Sequence, residues 1–247
     1  MKQSRRFELT SFVLHILAMA LMLCDHTWAT VALGQEWLTC IGRIAFPIFA
    51  FLIVEGWFYT KSRKKYALRL LIFALISEIP FDFMMSGRWM YPYHQNVLWT
   101  FLIGVGCMAL LDWARGRKKV WSWLLAVPGV LLGCLIALLG MTDYMHYGVL
   151  TVLAFYVFRG RRWWQLAGQL VCLWYINWEM MGGQLYMFTL LGQEWKLPQQ
   201  GLAVLALIPI WLYRGKQGPY NRAVKYLNYA FYPVHMAILV LLMNLLH

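Results

Sequence analysis

The sequence predicts an all-α integral membrane protein. It reads as a single bundle of about nine transmembrane helices over residues 1–247, with the N-terminus in and the C-terminus out. Three observations predict it. Hydrophobic residues make up 62% of the chain and charged residues 13%, more apolar surface than a soluble domain of 247 residues can hide. Apolar runs framed by charges repeat along the whole length, as membrane spans do. The basic residues cluster in every second loop, which is how membrane topology is encoded.

Taken in order, the spans fall near residues 8–25, 37–60, 67–84, 97–114, 121–140, 146–159, 163–179, 199–213 and 226–246. The first follows Lys2, Arg5 and Arg6 and carries no small-residue cleavage pattern, so it is expected to be retained as a helix and not removed as a signal peptide. The sixth and seventh are short. Residues 180–198, between the seventh and eighth spans, are expected to hold an interfacial or re-entrant helix. Placing the N-terminus in the cytoplasm puts all but Arg43, Arg88 and Lys196 of the 22 Lys and Arg residues on one side. Trp57, Tyr59, Trp89, Tyr91, Tyr93, Trp121, Trp123, Trp163 and Trp164 sit at span edges and read as interfacial belts.

The basic balance, +12 at neutral pH, is accounted for by these topology clusters. No basic helix or aromatic-interleaved patch accompanies it, and nucleic-acid binding is set aside. Cys24, Cys40, Cys107, Cys134 and Cys172 show no metal-ligand spacing, so no metal site is expected. They read as packed thiols, with a Cys24–Cys40 disulfide left open.

Ionisable groups inside apolar runs are costly, and they mark function by default. Asp25 and His26 end the first span at its outer side. Arg43 lies about 9 Å in from the outer start of the second, at ~1.5 Å of rise per residue. Glu78 and Asp82 fall in the outer half of the third span around Pro80. His94, Gln95 and Asn96 open the fourth, and Asp143, Tyr144 and His146 form the next outer loop. These groups converge on one side of the membrane. Glu55 near the inner end of span two, His235 mid-way along span nine, and Asn177 and Glu179 ending span seven extend a path through the bundle. Consecutive helical residues point about 100° apart, so Arg43 is a more natural partner for Asp25 than His26 is. A lone His15 in an apolar helix reads as a hydrogen-bonded core residue.

Several blocks carry a family resemblance: DH at 25–26, GRIAFPIFAFLIVEG at 42–56, YALRLLIFALISEIPFDF at 66–83, HQNVLWTFLIG at 94–104, DYMHYGVL at 143–150, LIPIWLYRGKQGP at 207–219 and YAFYPVHMAILVLL at 229–242. Together they resemble the TraX family of membrane acetyltransferases, whose founding activity is N-terminal acetylation of conjugative pilin. More distantly, the DH followed by R-x-x-x-P-x-F resembles multi-span acyltransferases of the lysosomal heparan glucosamine N-acetyltransferase kind. The resemblance implies acetyl-CoA as donor substrate and an amine or hydroxyl on a protein or glycan as acceptor.

On that basis His26 is the expected general base, with Asp25, Arg43 and Asn96 completing the catalytic set. Glu55, Glu78, Asp82, His94, Asp143, Tyr144 and His235 are the expected substrate-binding residues. Arg159, Arg161, Arg162, Arg214 and Lys216 on the inner loops are expected to meet the CoA phosphates. The location is the inner cytoplasmic membrane, the lipid bilayer is the first partner, and self-association as a homo-oligomer is open. The rival reading of the same buried charges is a proton-coupled transporter or flippase, although no internal repeat accompanies them.

Overall fold

Helix α1 (Ser11–Thr30) starts at Thr10, whose hydroxyl accepts the Val13 N–H at 3.3 Å. The computed structural model describes residues 9–117, 119–219 and 221–246, so Lys2, Arg5, Arg6 and Lys118 lie outside them, as do the side chains of Arg222 and Lys225. After α1 the second predicted span is broken in two, α2 (Glu36–Gly42) and α3 (Ala45–Tyr59). The break has a covalent cause. Pro47 has no N–H to donate back to the Arg43 carbonyl, so the ladder fails there, and Pro47 sits in the first turn of a new helix, where proline is tolerated.

Helix α4 (Arg63–Ser86) is capped by the Ser62 hydroxyl, runs through Pro80 and stops at Gly87, whose φ of +70° suits glycine. Then come α5 (Val97–Arg117), α6 (Val120–Leu139), α7 (Met145–Val157) and α8 (Trp163–Trp174), the last running into a π-helical turn at Tyr175–Met180. A 3-10 stretch at Gln199–Ala206 leads into α9 (Leu207–Leu212), and α10 (Arg222–Leu246) ends the described fold.

Every predicted span falls on helix, although the second divides between α2 and α3, the seventh between α8 and the π-helical turn, and the eighth between the 3-10 stretch and α9. Among the described residues, five are long and apolar enough to cross a bilayer: Ser11–Thr30, Glu36–Tyr59, Val97–Arg117, Val120–Leu139 and Tyr226–Leu246. The protein is therefore a helical membrane protein. At 13 residues α7 is only about 20 Å long, short of a ~30 Å hydrocarbon core.

After Met180, the end of the π-helical turn, residues 181–198 hold no helix. Strand β1 (Leu185–Leu190) pairs antiparallel with β2 (Gln193–Pro198) through a turn at Leu191 (φ +55°) and Gly192 (φ +77°). Two successive positive φ values give a two-residue turn whose twist matches that of the strands. Tyr186 ties the hairpin to α2 by donating to Glu36 Oε2 at 2.9 Å.

Helix α3 is the enclosed centre, packed against α1, α5 and α7, with Phe46, Ile48, Phe51, Val54 and Trp57 buried. Burial of Trp57 removes it from the aromatic belt: its indole N–H donates to Asp112 Oδ2 at 3.0 Å, and Arg63 lies over its ring at 4.3 Å. Lipid is as apolar as leucine, so helices associate through close packing and not through the hydrophobic effect. Glycines supply the closeness. A Cβ on Gly133 would stand 2.6 Å from Cys107 Sγ, and one on Gly148 would stand 2.5 Å from Thr100 Cγ2 and 3.1 Å from Phe46 Cζ. All five cysteines are free thiols, so Cys24 and Cys40 are not joined.

The ends of the bundle differ. At one, Leu9 N–H meets Leu212 O at 3.2 Å and Ser11 N–H meets Lys216 O at 2.8 Å, beside the basic loops. At the other, the chain before α5 bridges the chain before α7, with Gln95 N–H on Met141 O at 3.0 Å and Asp143 N–H on Gln95 O at 2.7 Å. Helix α10 closes the bundle against α4 and α1.

Candidate functional site

The break between α2 and α3 delivers Arg43 to the end of α1. Its Nη2 donates to Asp25 Oδ1 at 3.0 Å and to the Thr39 hydroxyl at 2.5 Å, while Thr39 donates to the same Asp25 oxygen at 2.7 Å. Gly42 permits this approach, since a Cβ there would meet Asp25 Oδ1 at 2.8 Å. Arg43 also donates to the Tyr144 hydroxyl, and its Nε is buried with no partner, a donor left over for something else.

Tyr144 arrives from a strained turn. Met141, Tyr144 and Met145 have φ of +48°, +61° and +44°, values L-residues avoid. Thr100 holds that turn, bonding the Asp143 carbonyl and the Thr142 hydroxyl. The Tyr144 ring stacks on Phe46 at 3.7 Å. Burial pushes its phenol above the ordinary range, with Arg43 pulling the other way, so it stays protonated and able to donate.

Asp25, His26, Asp143 and Tyr144 line a small chamber of about 50 Å³ with Phe46 and Tyr232. His26 does not pair with Asp25. Its Nδ1 lies 2.7 Å from Nε2 of His235, the two rings being near parallel at 13°, and His235 Nδ1 lies 2.7 Å from the Phe231 carbonyl. Chain positions 209 residues apart thus meet where α10 crosses α1.

Below the chamber lies a cavity of about 520 Å³ that reaches Tyr59, Gly215 and Gln217 at the basic end. That volume is within the ~300–1,000 Å³ usual for small-molecule sites. The two hollows share Met22, Phe49, Val97, Phe101 and Tyr232 as wall. Polar groups on the cavity wall include Tyr66, Arg69 and Asn228, whose Oδ1 is buried without a donor. None of these three stood out in the sequence, because a tyrosine, an arginine near a loop and an asparagine each fit an ordinary span end. His15 also lies on that wall and bonds its own helix, Nδ1 to Ser11 O at 2.7 Å.

Other expected residues go elsewhere. Asn96 is no oxyanion donor: it is fully buried with both amide hydrogens taken, by the Ala74 carbonyl at 2.9 Å and by Glu78. Glu78 also accepts from Trp99 Nε1 at 2.7 Å, and Asp82 from Tyr91 N–H at 2.9 Å, so neither carboxylate positions Arg43. At the basic end Glu55 accepts from Arg159 Nε at 2.7 Å on the cavity rim, and Arg159 lies 4.2 Å over the Phe58 ring. Arg161 is spent on the Tyr213 and Trp211 carbonyls at 2.5 and 2.7 Å, while Arg162 gives only its backbone N–H, to Gln165 Oε1 at 3.0 Å, and is exposed. Arg214 and Lys216 are exposed at the same end. Asn177 donates to Leu173 O and accepts from Gln200, both at about 3 Å, which makes it a helix-packing residue.

His94 lies 3.5 Å from Oδ1 of Asp143 on the chamber wall. The bond to Asp143 raises its pKa against the opposing effect of burial, with Glu78 and Asp82 adding to the rise. A folded-state pKa above the unfolded value stabilises fully below the ordinary 6.5, and that contribution is lost as pH rises through the folded value. His94→Gln is therefore expected to lower the thermal midpoint at about pH 5.5 and to match the parent at about pH 8.5. A deficit that grows with pH would contradict the pairing.

The family model described as TraX protein matches residues 11–243. The chain is also 26% identical over 267 aligned residues to the "Probable fimbrial assembly protein FimC, serogroup H1" of Dichelobacter nodosus, covering 96% of each protein. No solved structure matches. With almost its whole length inside the family's model, the chain belongs to the TraX family.

Proposed function

We propose that this protein is a membrane acetyltransferase that moves the acetyl group of acetyl-CoA to an amine or hydroxyl acceptor. One observation carries the reading. A polar chamber holding His26, Arg43's partner Asp25 and Tyr144 shares a wall with a cavity large enough for a small-molecule donor.

The cavity fits the donor's chemistry. Leu52, Ile53 and Leu98 offer apolar wall to a pantetheine arm, and Arg69 on the wall with Arg159, bonded to the lining Glu55, offers charge to phosphates. The basic loops at that end are assigned to the cytoplasm, so acetyl-CoA arrives from inside and the N-terminus is in, with the short helices α7, α8 and α9 completing a nine-span count. The location that follows is the inner membrane.

In the chamber an alcohol, or an amine that arrives neutral, gives one proton to His26 as it attacks, because the acceptor atom must lose that proton to end as ester or amide. The acceptor atom bonds the acetyl carbonyl carbon, the C–S bond breaks, and the departing thiolate receives the proton held by His26. Arg43 and Tyr144 donate to the carbonyl oxygen as it gains charge, held by Asp25, Thr39 and Phe46. The relative's description as a fimbrial assembly protein makes a pilin or fimbrial subunit the first acceptor to test, with envelope glycans second.

The test is purified protein with labelled acetyl-CoA, reading calorimetric binding and transfer to envelope acceptors. Phe49 stands where the two hollows meet, so Phe49→Trp is expected to keep CoA binding and to cut transfer at least about 10-fold. Solute flux without acetyl-CoA binding would replace this reading with the transporter.

A further inference from the structure

We propose that His235 is a positioning residue that holds His26 in the one tautomer able to act as a base. The inference rests on the acetyltransferase reading for its kinetic consequence, while the tautomer follows from bonding alone. The Phe231 carbonyl can only accept, so His235 Nδ1, 2.7 Å away, must carry a hydrogen. A neutral imidazole carries one N–H, which leaves His235 Nε2 a bare lone pair. That lone pair faces His26 Nδ1 at 2.7 Å, so His26 Nδ1 must be the N–H donor. Nε2 of His26 is then the unprotonated nitrogen. Among the described residues it takes no hydrogen-bond partner, and His26 lies on the chamber wall.

The neutral state has its own support. A single imidazolium on either ring would sit inside the bundle with no carboxylate bonded to it among the described residues, so burial disfavours even one charge, and two would also repel one another. Asp25, the nearest in sequence, is taken by Arg43 and Thr39. The Phe231 carbonyl therefore does for this pair what a carboxylate does for many catalytic histidines: it fixes which nitrogen bears the proton. Phe231 also stacks on the His235 ring at 4.7 Å and 13°, which limits its rotation.

The experiment is nitrogen NMR of the full chain labelled with ¹⁵N-histidine, in detergent or nanodiscs, beside acetyl-transfer kinetics. In the parent protein the His26 signals are expected to show Nδ1 protonated and Nε2 bare. In His235→Phe, which keeps the ring but offers no acceptor, that tautomer is expected to lose its bias and kcat to fall about 10²-fold with KM held. His235→Gln restores an acceptor near the Nε2 position and is expected to recover both readouts in part. His26 protonated on Nε2 in the parent overturns the proposal without any variant. So does a folded His235→Phe with the parent's spectrum and rate. A correct tautomer in a protein that binds no acetyl-CoA would instead overturn the acetyltransferase reading and leave the histidine assignment standing.

Discussion

His26→Ala is expected to reduce acetyl transfer by about 10²–10⁴-fold while acetyl-CoA still binds. The separation of the two effects follows from geometry. His26 lines the small chamber and is absent from the wall of the larger cavity, so its loss removes the base and leaves the donor's site. The remaining rate would come from Arg43 and Tyr144 holding the carbonyl oxygen and from proximity. Single-turnover transfer measured beside calorimetric binding reads the two separately. Equal transfer by the folded variant would remove His26 from the mechanism.

Arg43→Ala is expected to lower stability by about 3 kcal/mol and to abolish transfer, through one cause. The ion pair with Asp25 is only about one-fifth exposed on either side, so removing the guanidinium strands a carboxylate among apolar helices. The figure is set at the lower end of the usual range because that residual exposure screens the pair. Asp25→Asn should lose less, since an amide carries no charge to strand. The double variant should be more stable than the two single losses predict if the pair is the coupling unit. Arg43→Lys is expected to keep much of the stability and little of the rate. A single ammonium replaces the charge, but not the fork that reaches Asp25, Thr39 and Tyr144 together. Additive losses in the double variant would mean that Asp25 and Arg43 act independently.

Much of the site was legible because it is local or periodic. Asp25 and Arg43 stand out as charges in apolar runs, and the 100° turn per residue already points Asp25 away from His26. The break of the second span was not read: residues 37–60 were expected as one helix, and Pro47 explains the interruption only once α2 and α3 are seen apart. The rest needed contacts that no window of sequence contains. His235 reads as a lone histidine in the last span until α10 is laid against α1. Asn96 looks like a free donor at a span mouth until α4 brings Glu78 and the Ala74 carbonyl to it. The hairpin was missed for a different reason: its turn is Leu191-Gly192, without the Asn-Gly or Asp-Gly that announces such turns, and its apolar residues match a buried helix equally well.

By itself the sequence determined that the chain lives in a membrane as helices, where most of those helices run, and which family its motifs resemble. Hydropathy and charge act residue by residue, and a bilayer allows few structures that satisfy the backbone. Which histidine faces which, which carboxylates are already bonded, and that a cavity from the basic end shares its wall with the chamber were decided only by tertiary packing. Helices in lipid associate through shape and hydrogen bonds between distant positions, and neither leaves a periodic trace in the chain.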